Sequence, residues 1–278
     1  MIKGQCLCGA HRFELEGPLE MVHHCHCGYC RKHHGEAFAT MVGVAAERLE
    51  WTRGEIIAYR SSPDFVRESC GICGTPLPQN IPDLPMFVPA GCLEDFAERA
   101  EFHLFAASTP SWHEIADGVP AFDAYPPGVG MEPQADCSSD RSGDGVGGSC
   151  LCGDVRYVID DGPVLAARHC HCLRCRRARG AAHASNLVVP ENSLSFTAGQ
   201  EEIRSFKLPE ATHFTQCFCG RCGAKVPTVD PGREIAIVPM GGLDDPPPRS
   251  PQEHIWTAEI PSWSGVYDSL PQRVGPPE

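Results

Sequence analysis

Residues 25–30 read CHCGYC and residues 170–175 read CHCLRC, two copies of the spacing C-x-C-x-x-C. Each copy holds three cysteines, one fewer than a closed tetrahedral zinc site takes. Outward from these clusters the rest of the chain repeats as well. GQCLCGAHRFELE (4–16) matches GSCLCGDVRYVID (148–160), and HHCHCGYCRKHHG (23–35) matches RHCHCLRCRRARG (168–180). SCGICG (69–74) matches FCGRCG (218–223), and PSW recurs at 110–112 and 261–263. The blocks keep their order, so the chain is a tandem duplication of one domain, each copy too long to be a solenoid unit. The first repeat covers 1–125 and the second 148–278. Between them, 126–147 is rich in Gly, Pro, Ser and Asp without apolar periodicity, and reads as a flexible linker.

The pattern inside each repeat is mainly β. HRFELE and VRYVID alternate apolar and polar residues, which places Val155, Tyr157 and Ile159 on one face of a strand. LEWTRG, IIAYRS, LSFTAG, IRSFKL and REIAIVPM read as further short strands. Helical patterns are brief, and CRRARGAAHA (175–184) holds one or two turns. The expected fold is a pair of small zinc-bound β-sheet domains with few short helices. DDPPPRSP (244–251) and its counterpart EDFAERAE read as a surface loop that differs between the copies.

Composition narrows the function classes. The chain has 278 residues, 42% hydrophobic and 21% charged, enough apolar content for a core. Its net charge of −13 argues against general affinity for nucleic acid, which needs a positive surface. No apolar run reaches membrane-spanning length. The first residues, MIKGQCLCGA, contain no apolar signal-peptide segment, so the expected location is cytoplasmic. Seventeen cysteines, an odd number mostly in C-x-C and C-x-x-C pairs, point in such a compartment to metal rather than disulfides.

Fourteen of the cysteines fall into seven per repeat, which divide as four plus three. Cys6, Cys8, Cys70 and Cys73, and in the second copy Cys150, Cys152, Cys219 and Cys222, form closed four-thiolate sites. Cys25, Cys27 and Cys30, and Cys170, Cys172 and Cys175, leave a fourth position to fill. Three thiolates on Zn²⁺ carry a net charge of −1, so the metal generates hydroxide poorly but accepts another soft ligand. A substrate thiol suits that position and would be held there as nucleophilic thiolate. Alternatively a histidine such as His24, His26, His169 or His171 closes the site. Arg31 and Lys32 follow the first trio, and Arg168, Arg174, Arg176, Arg177 and Arg179 surround the second. Guanidinium groups there suit a small anionic partner. Cys92, Cys137 and Cys217 receive no role.

These motifs resemble the glutathione-dependent formaldehyde-activating enzyme family, which includes the centromere protein V type domain. The carrying residues are G-x-C-x-C-G (Gly4 to Gly9; Gly148 to Gly153), C-H-C-x-x-C-R (Cys25 to Arg31; Cys170 to Arg176) and C-x-x-C-G (Cys70 to Gly74; Cys219 to Gly223). A late block adds His103, Phe105 and Trp112, and His254, Trp256 and Trp263. The resemblance implies a β-tent-like fold and two zinc ions per domain, up to four per chain, two structural and two catalytic in type. It implies carbon–sulfur lyase chemistry, the making or breaking of S-hydroxymethylglutathione from glutathione and formaldehyde. Arg31, Arg174, Arg176 and His183 are the candidates for contacts to an anionic thiol such as glutathione. The copies differ at Phe38 against His183, and Lys225 is a charge the first copy lacks. A non-catalytic zinc-binding interaction module, or a zinc- or redox-responsive protein, is the alternative reading. The two repeats are also expected to be able to pack as an internal pseudo-dimer.

Overall fold

The structure is a computed structural model that describes residues 1–129, 131–133, 137 and 144–277. Of the expected linker, residues 130, 134–136 and 138–143 lie outside the described residues. Val146–Ser149, at the end of that stretch, is already the first strand of the second repeat.

Each repeat builds the same three sheets. A three-stranded sheet pairs Ile2–Gln5, Arg12–Leu15 and Leu49–Thr52, matched by Val146–Ser149, Arg156–Ile159 and Leu194–Ala198. The predicted alternation holds, with Phe13 and Leu15 buried on one strand and Tyr157 and Ile159 on its counterpart. A hairpin joins Ile56–Ser62 to Phe65–Cys70, and Ile203–Lys207 to Thr215–Cys219. The third sheet is the central one. Its first copy runs Met86–Pro89, Ala39–Val44, Glu20–Cys25 and Phe102–Leu104. Its second runs Thr228–Asp230, Ile235–Pro239, Ala184–Pro190, Ala166–Cys170 and His254–Ile255. Glu20–Cys25 and Ala166–Cys170 end in the first cysteine of each trio, so the sheet delivers that sulfur, and the N-cap and first turn of the following helix deliver the other two.

Two short helices follow, α1 (Gly28–His34) and α2 (Leu173–Arg179). The second begins before the stretch in which the sequence places a helix and stops at Gly180, where φ is +58°. Glycine accepts that left-handed turn without steric cost. Both helices have a cysteine N-cap, and the sequence did not mark α1 because GYCRKHH holds Gly, Tyr, Cys and two His, weaker helix formers than the Leu, Ala and four Arg of α2. The Cys30 amide donates to Cys27 Sγ at 3.4 Å. No helix among the described residues is long and apolar enough to cross a membrane.

The repeats pack against one another by exchanging aromatic residues. Trp112 of the first copy lies in a buried cluster with Tyr157, Leu187 and Met240 of the second. Trp263 joins Leu93 and Phe96 of the first, stacked on Phe96 with centroids 5.5 Å apart. The PSW blocks are therefore interface residues. So is EDFAERAE, which docks on the second repeat: Asp95 accepts from the Ser262 amide at 2.8 Å, and Arg99 donates to the Tyr267 hydroxyl at 2.9 Å.

Basic residues close the same interface. Lys32 crosses to Ser149 and to Asp244, 2.5 Å away. Lys225, buried, donates to the Gly74 carbonyl at 2.5 Å and the Gly223 carbonyl at 2.8 Å. Glu36 accepts from the Ser185 amide at 2.8 Å with Arg179 at 3.9 Å. Burial lifts the Glu36 carboxyl to about 7 and brings the Lys225 ammonium down to about 7.

Two predictions follow from this packing. A Cβ at Gly241 would stand 2.1 Å from the Glu36 amide nitrogen, and one at Gly91 would stand 2.2 Å from that of Ala181. These contacts are with backbone, which cannot rotate aside. Gly241→Ala should cost about 1–3 kcal/mol or more, read as a lower melting temperature by calorimetry. The second prediction concerns pH. Because the folded-state value of Glu36 lies above its unfolded one, its stabilising contribution is complete below the unfolded pKa and is lost as pH rises through about 7. Relative to Glu36→Gln, the native chain should lose at most roughly 3 kcal/mol between pH 5 and 8. Paired melts across that range would refute the assignment if the difference stayed flat.

Candidate functional site

In each repeat the first and last cysteine pairs meet although more than sixty residues separate them. Cys6, Cys8, Cys70 and Cys73 bring their sulfurs within 4.8 Å of one another, as do Cys150, Cys152, Cys219 and Cys222. Individual separations include 3.5 Å for Cys6–Cys8, 3.7 Å for Cys8–Cys70, 3.4 Å for Cys150–Cys152 and 3.7 Å for Cys152–Cys219. Four sulfurs at about 2.3 Å from one zinc ion would lie about 3.8 Å apart. The donor set and the spacing thus fit a tetrahedral thiolate site. Each turn is shaped by glycine: φ is +72° at Gly74 and +70° at Gly223, and their amides donate to the Cys70 and Cys219 carbonyls at 2.8 and 2.9 Å. The His11 and Val155 amides donate to Cys6 Sγ and Cys150 Sγ, both at 3.3 Å.

The trios gather in the same way. Cys25, Cys27 and Cys30 lie within 4.8 Å of one another, as do Cys170, Cys172 and Cys175, and Cys25–Cys27 is 3.5 Å. Hydrogen bonds within the trio, together with burial, push the Cys25 thiol well above the ordinary range, and Cys175 is raised in the same way. Three adjacent sulfurs ionise together only when a cation offsets their mutual repulsion, so these trios too could hold a metal.

The histidines offered as closing ligands have other partners. His26 Nε2 is 2.9 Å from His103 Nδ1, and His103 Nε2 is 3.1 Å from the Asp117 carboxylate. In the second repeat His171 Nε2 is 2.8 Å from His254 Nδ1, and His254 Nε2 is 3.1 Å from Asp268. His24 Nδ1 pairs with Thr40 Oγ1 at 2.9 Å, and His169 Nδ1 with Ser185 Oγ at 2.8 Å. Asp117 and Asp268 escaped the sequence reading, although each lies 14 residues after its histidine. Histidines from both repeats line a chamber of about 90 Å³ where the copies meet. Burial pushes His113 there down to about 4, so it is neutral at pH 7.

The candidate substrate contacts fall in different places. Arg174 is exposed on α2, its guanidinium 6.0 Å from the Phe214 ring centroid. Arg176 is buried, and the acidic groups that act on it are Glu259 and, from the first repeat, Asp95. His183 is within 4.0 Å of Glu36 and packs edge-on to Phe38, again across the interface. Arg31, half-buried on α1, does not line the cavity beside the first trio. That cavity, about 170 Å³, is bounded by Cys25, Cys27 and Cys30 on one side and chiefly by apolar side chains elsewhere. Arg67, missed from the sequence, reaches the trio instead: Nη1 lies 3.7 Å from Cys30 Sγ, and Nε donates to Ser61 Oγ at 3.2 Å. No motif marked it, because the second repeat has Gln216 at that strand position. Tyr125 also faces the cavity, its phenol pushed up to about 12 by burial and the neighbouring thiols and therefore neutral.

The family model described as glutathione-dependent formaldehyde-activating enzyme matches residues 1–108 and 145–259, most of the chain. The chain belongs to this family. A Halomonas elongata protein named "Putative glutathione-dependent formaldehyde-activating enzyme" is 29% identical over 125 residues, 42% of this chain and 77% of the relative. A crystal structure of a Rhodobacter sphaeroides protein is 26% identical, with a TM-score of 0.30, over 37% of this chain and 92% of that one.

The two kinds of cluster should respond differently to loss of one sulfur. Cys73→Ser, in a closed site that pins two turns, should unfold the first repeat's turn region, because structural zinc contributes on the order of 10 kcal/mol in small modules. Cys27→Ser should lower metal content while leaving the melting transition cooperative. Metal analysis paired with circular dichroism checks both, and equal unfolding by the two variants would contradict the division.

Proposed function

We infer that the chain is a zinc-dependent carbon–sulfur lyase acting on the adduct of a glutathione-type thiol with formaldehyde. The observation that carries this reading is the first trio, three sulfurs gathered at the wall of a cavity instead of inside a closed cluster. Family membership supports a glutathione-linked formaldehyde function, and the donor chemistry supports four zinc ions per chain. A zinc ion on three thiolates supplies one further position that takes a thiol as thiolate.

The chain's own residues do the rest. Cys25, Cys27 and Cys30, and Cys170, Cys172 and Cys175, hold the ion and set its charge. In the first repeat the Arg67 guanidinium offsets the negative charge of the trio from 3.7 Å. The neutral Tyr125 hydroxyl is able to donate a hydrogen bond toward a carbonyl oxygen in the cavity. In the synthetic direction the thiol sulfur bonds to the formaldehyde carbon, the carbon–oxygen π pair moves to oxygen, and the thiol's proton ends on that oxygen. Cleavage is the reverse, and no electrons are gained or lost overall. Of the side chains offered for the thiol's carboxylates, Arg174 is the exposed one, and it stands beside the second trio. Paired thiolates without disulfides suit a reducing cytoplasm.

Equilibration of glutathione with formaldehyde, followed by exchange NMR, tests the reading. The native chain should accelerate exchange, and the double variant Cys27→Ala, Cys172→Ala should abolish the acceleration while the closed sites keep their metal. Unchanged exchange in that variant would sink the proposal.

A further inference from the structure

We propose that the first repeat's site takes a thiol carrying a bulky apolar group, in preference to the charged tripeptide thiol. This deepens the functional reading above and rests on it, since it assumes that the first trio receives a thiol. The argument is a comparison of matched positions in the two central sheets. His23 pairs with Met41 and with Phe102 in the first sheet, and Gly43 pairs with Phe87. At the same register the second sheet has Arg168 opposite Asn186, Glu253 next to the paired His254, and Ile237 opposite Val188.

The chemistry is opposite at three of these four positions, and at the fourth Phe87 and Ile237 are both apolar. In the first repeat the His23 ring stacks on Phe102 at 5.6 Å and meets Phe87 edge-on at 5.2 Å. His23, Met41, Phe87 and Phe102 all line the 170 Å³ cavity. In the second repeat Arg168 pairs with Glu253 at 3.1 Å, and Asn186 accepts from Arg179 at 2.9 Å. The first copy has thus become apolar where the second carries an ion pair and an amide.

Charge at the first cavity is scarce. Among the described residues that line it, Arg67 is the one Lys, Arg, Asp or Glu, and two of its nitrogens, Nη1 and Nε, already serve Cys30 Sγ and Ser61 Oγ. Two carboxylates and an ammonium brought into such walls would lose hydration without equivalent partners. An alkyl or aryl group loses nothing there and gains by burial. Each further methylene buried should tighten binding about three- to fourfold.

The test uses the full chain with cobalt(II) in place of zinc, carrying Cys172→Ser to silence the second trio. Thiolate-to-cobalt absorption is titrated with propane-1-thiol, butane-1-thiol, hexane-1-thiol and glutathione. Hexane-1-thiol should bind at least tenfold more tightly than glutathione, with affinity rising along the alkyl series. Adding Met41→Asn should flatten that rise, and Cys175→Ser silences the same trio should Cys172→Ser impair folding. Glutathione binding equal to or tighter than hexane-1-thiol at the first trio would overturn the inference while leaving the thiol-accepting site intact. If no thiol perturbs the cobalt bands at either trio, the thiol site itself is refuted and the inference falls with it.

Discussion

Sulfur repels sulfur once ionised, and this chain gathers its sulfurs four times within 4.8 Å. Only a cation makes such gatherings favourable, so the fold and the metal are one problem. Two of the gatherings tie the first strands of a repeat to a turn some sixty residues later. A metal ion bound there would replace much of what a larger apolar core does for a domain of about a hundred residues. The other two stand at the end of the central sheet, where strand and helix cap supply ligands without closing around them.

The closed clusters also lie where the repeats touch. A Cβ at Gly74 would strike the Phe218 ring at 2.4 Å, and one at Gly223 would strike Ser69 Oγ at 2.2 Å. Lys225 then reaches across to the Gly74 carbonyl. The turns that carry the four-cysteine clusters of one copy are thus packed by the other. Duplication on one chain gives this contact at high effective concentration. Each copy becomes free to change wherever its partner does not constrain it.

That freedom shows in the basic residues. Lys32 and Arg179 look, in the sequence, like part of an anion-binding surround for the trios. Tertiary contact turns them to Asp244 and Glu36 in the opposite repeat, and Lys225 likewise reaches a backbone carbonyl there. The charge beside the first trio comes from Arg67, on the strand that leads into Cys70 but at a position no motif marks.

The sequence by itself determined the duplication, the β character and the membership of all four sulfur clusters. Those features rest on local spacing and strand alternation, which a one-dimensional pattern preserves. It also placed the second helix to within a few residues, while α1 went unmarked because its Gly, Tyr, Cys and His residues are weak helix formers. Only the tertiary structure decided that PSW and EDFAERAE are interface, that two histidines and an aspartate form a hydrogen-bonded chain in each repeat, and that the first trio opens on an apolar cavity. Cavity walls come from strands far apart in the chain, brought side by side by sheet register. Their chemistry is set by which residues become neighbours, and no local spacing records that.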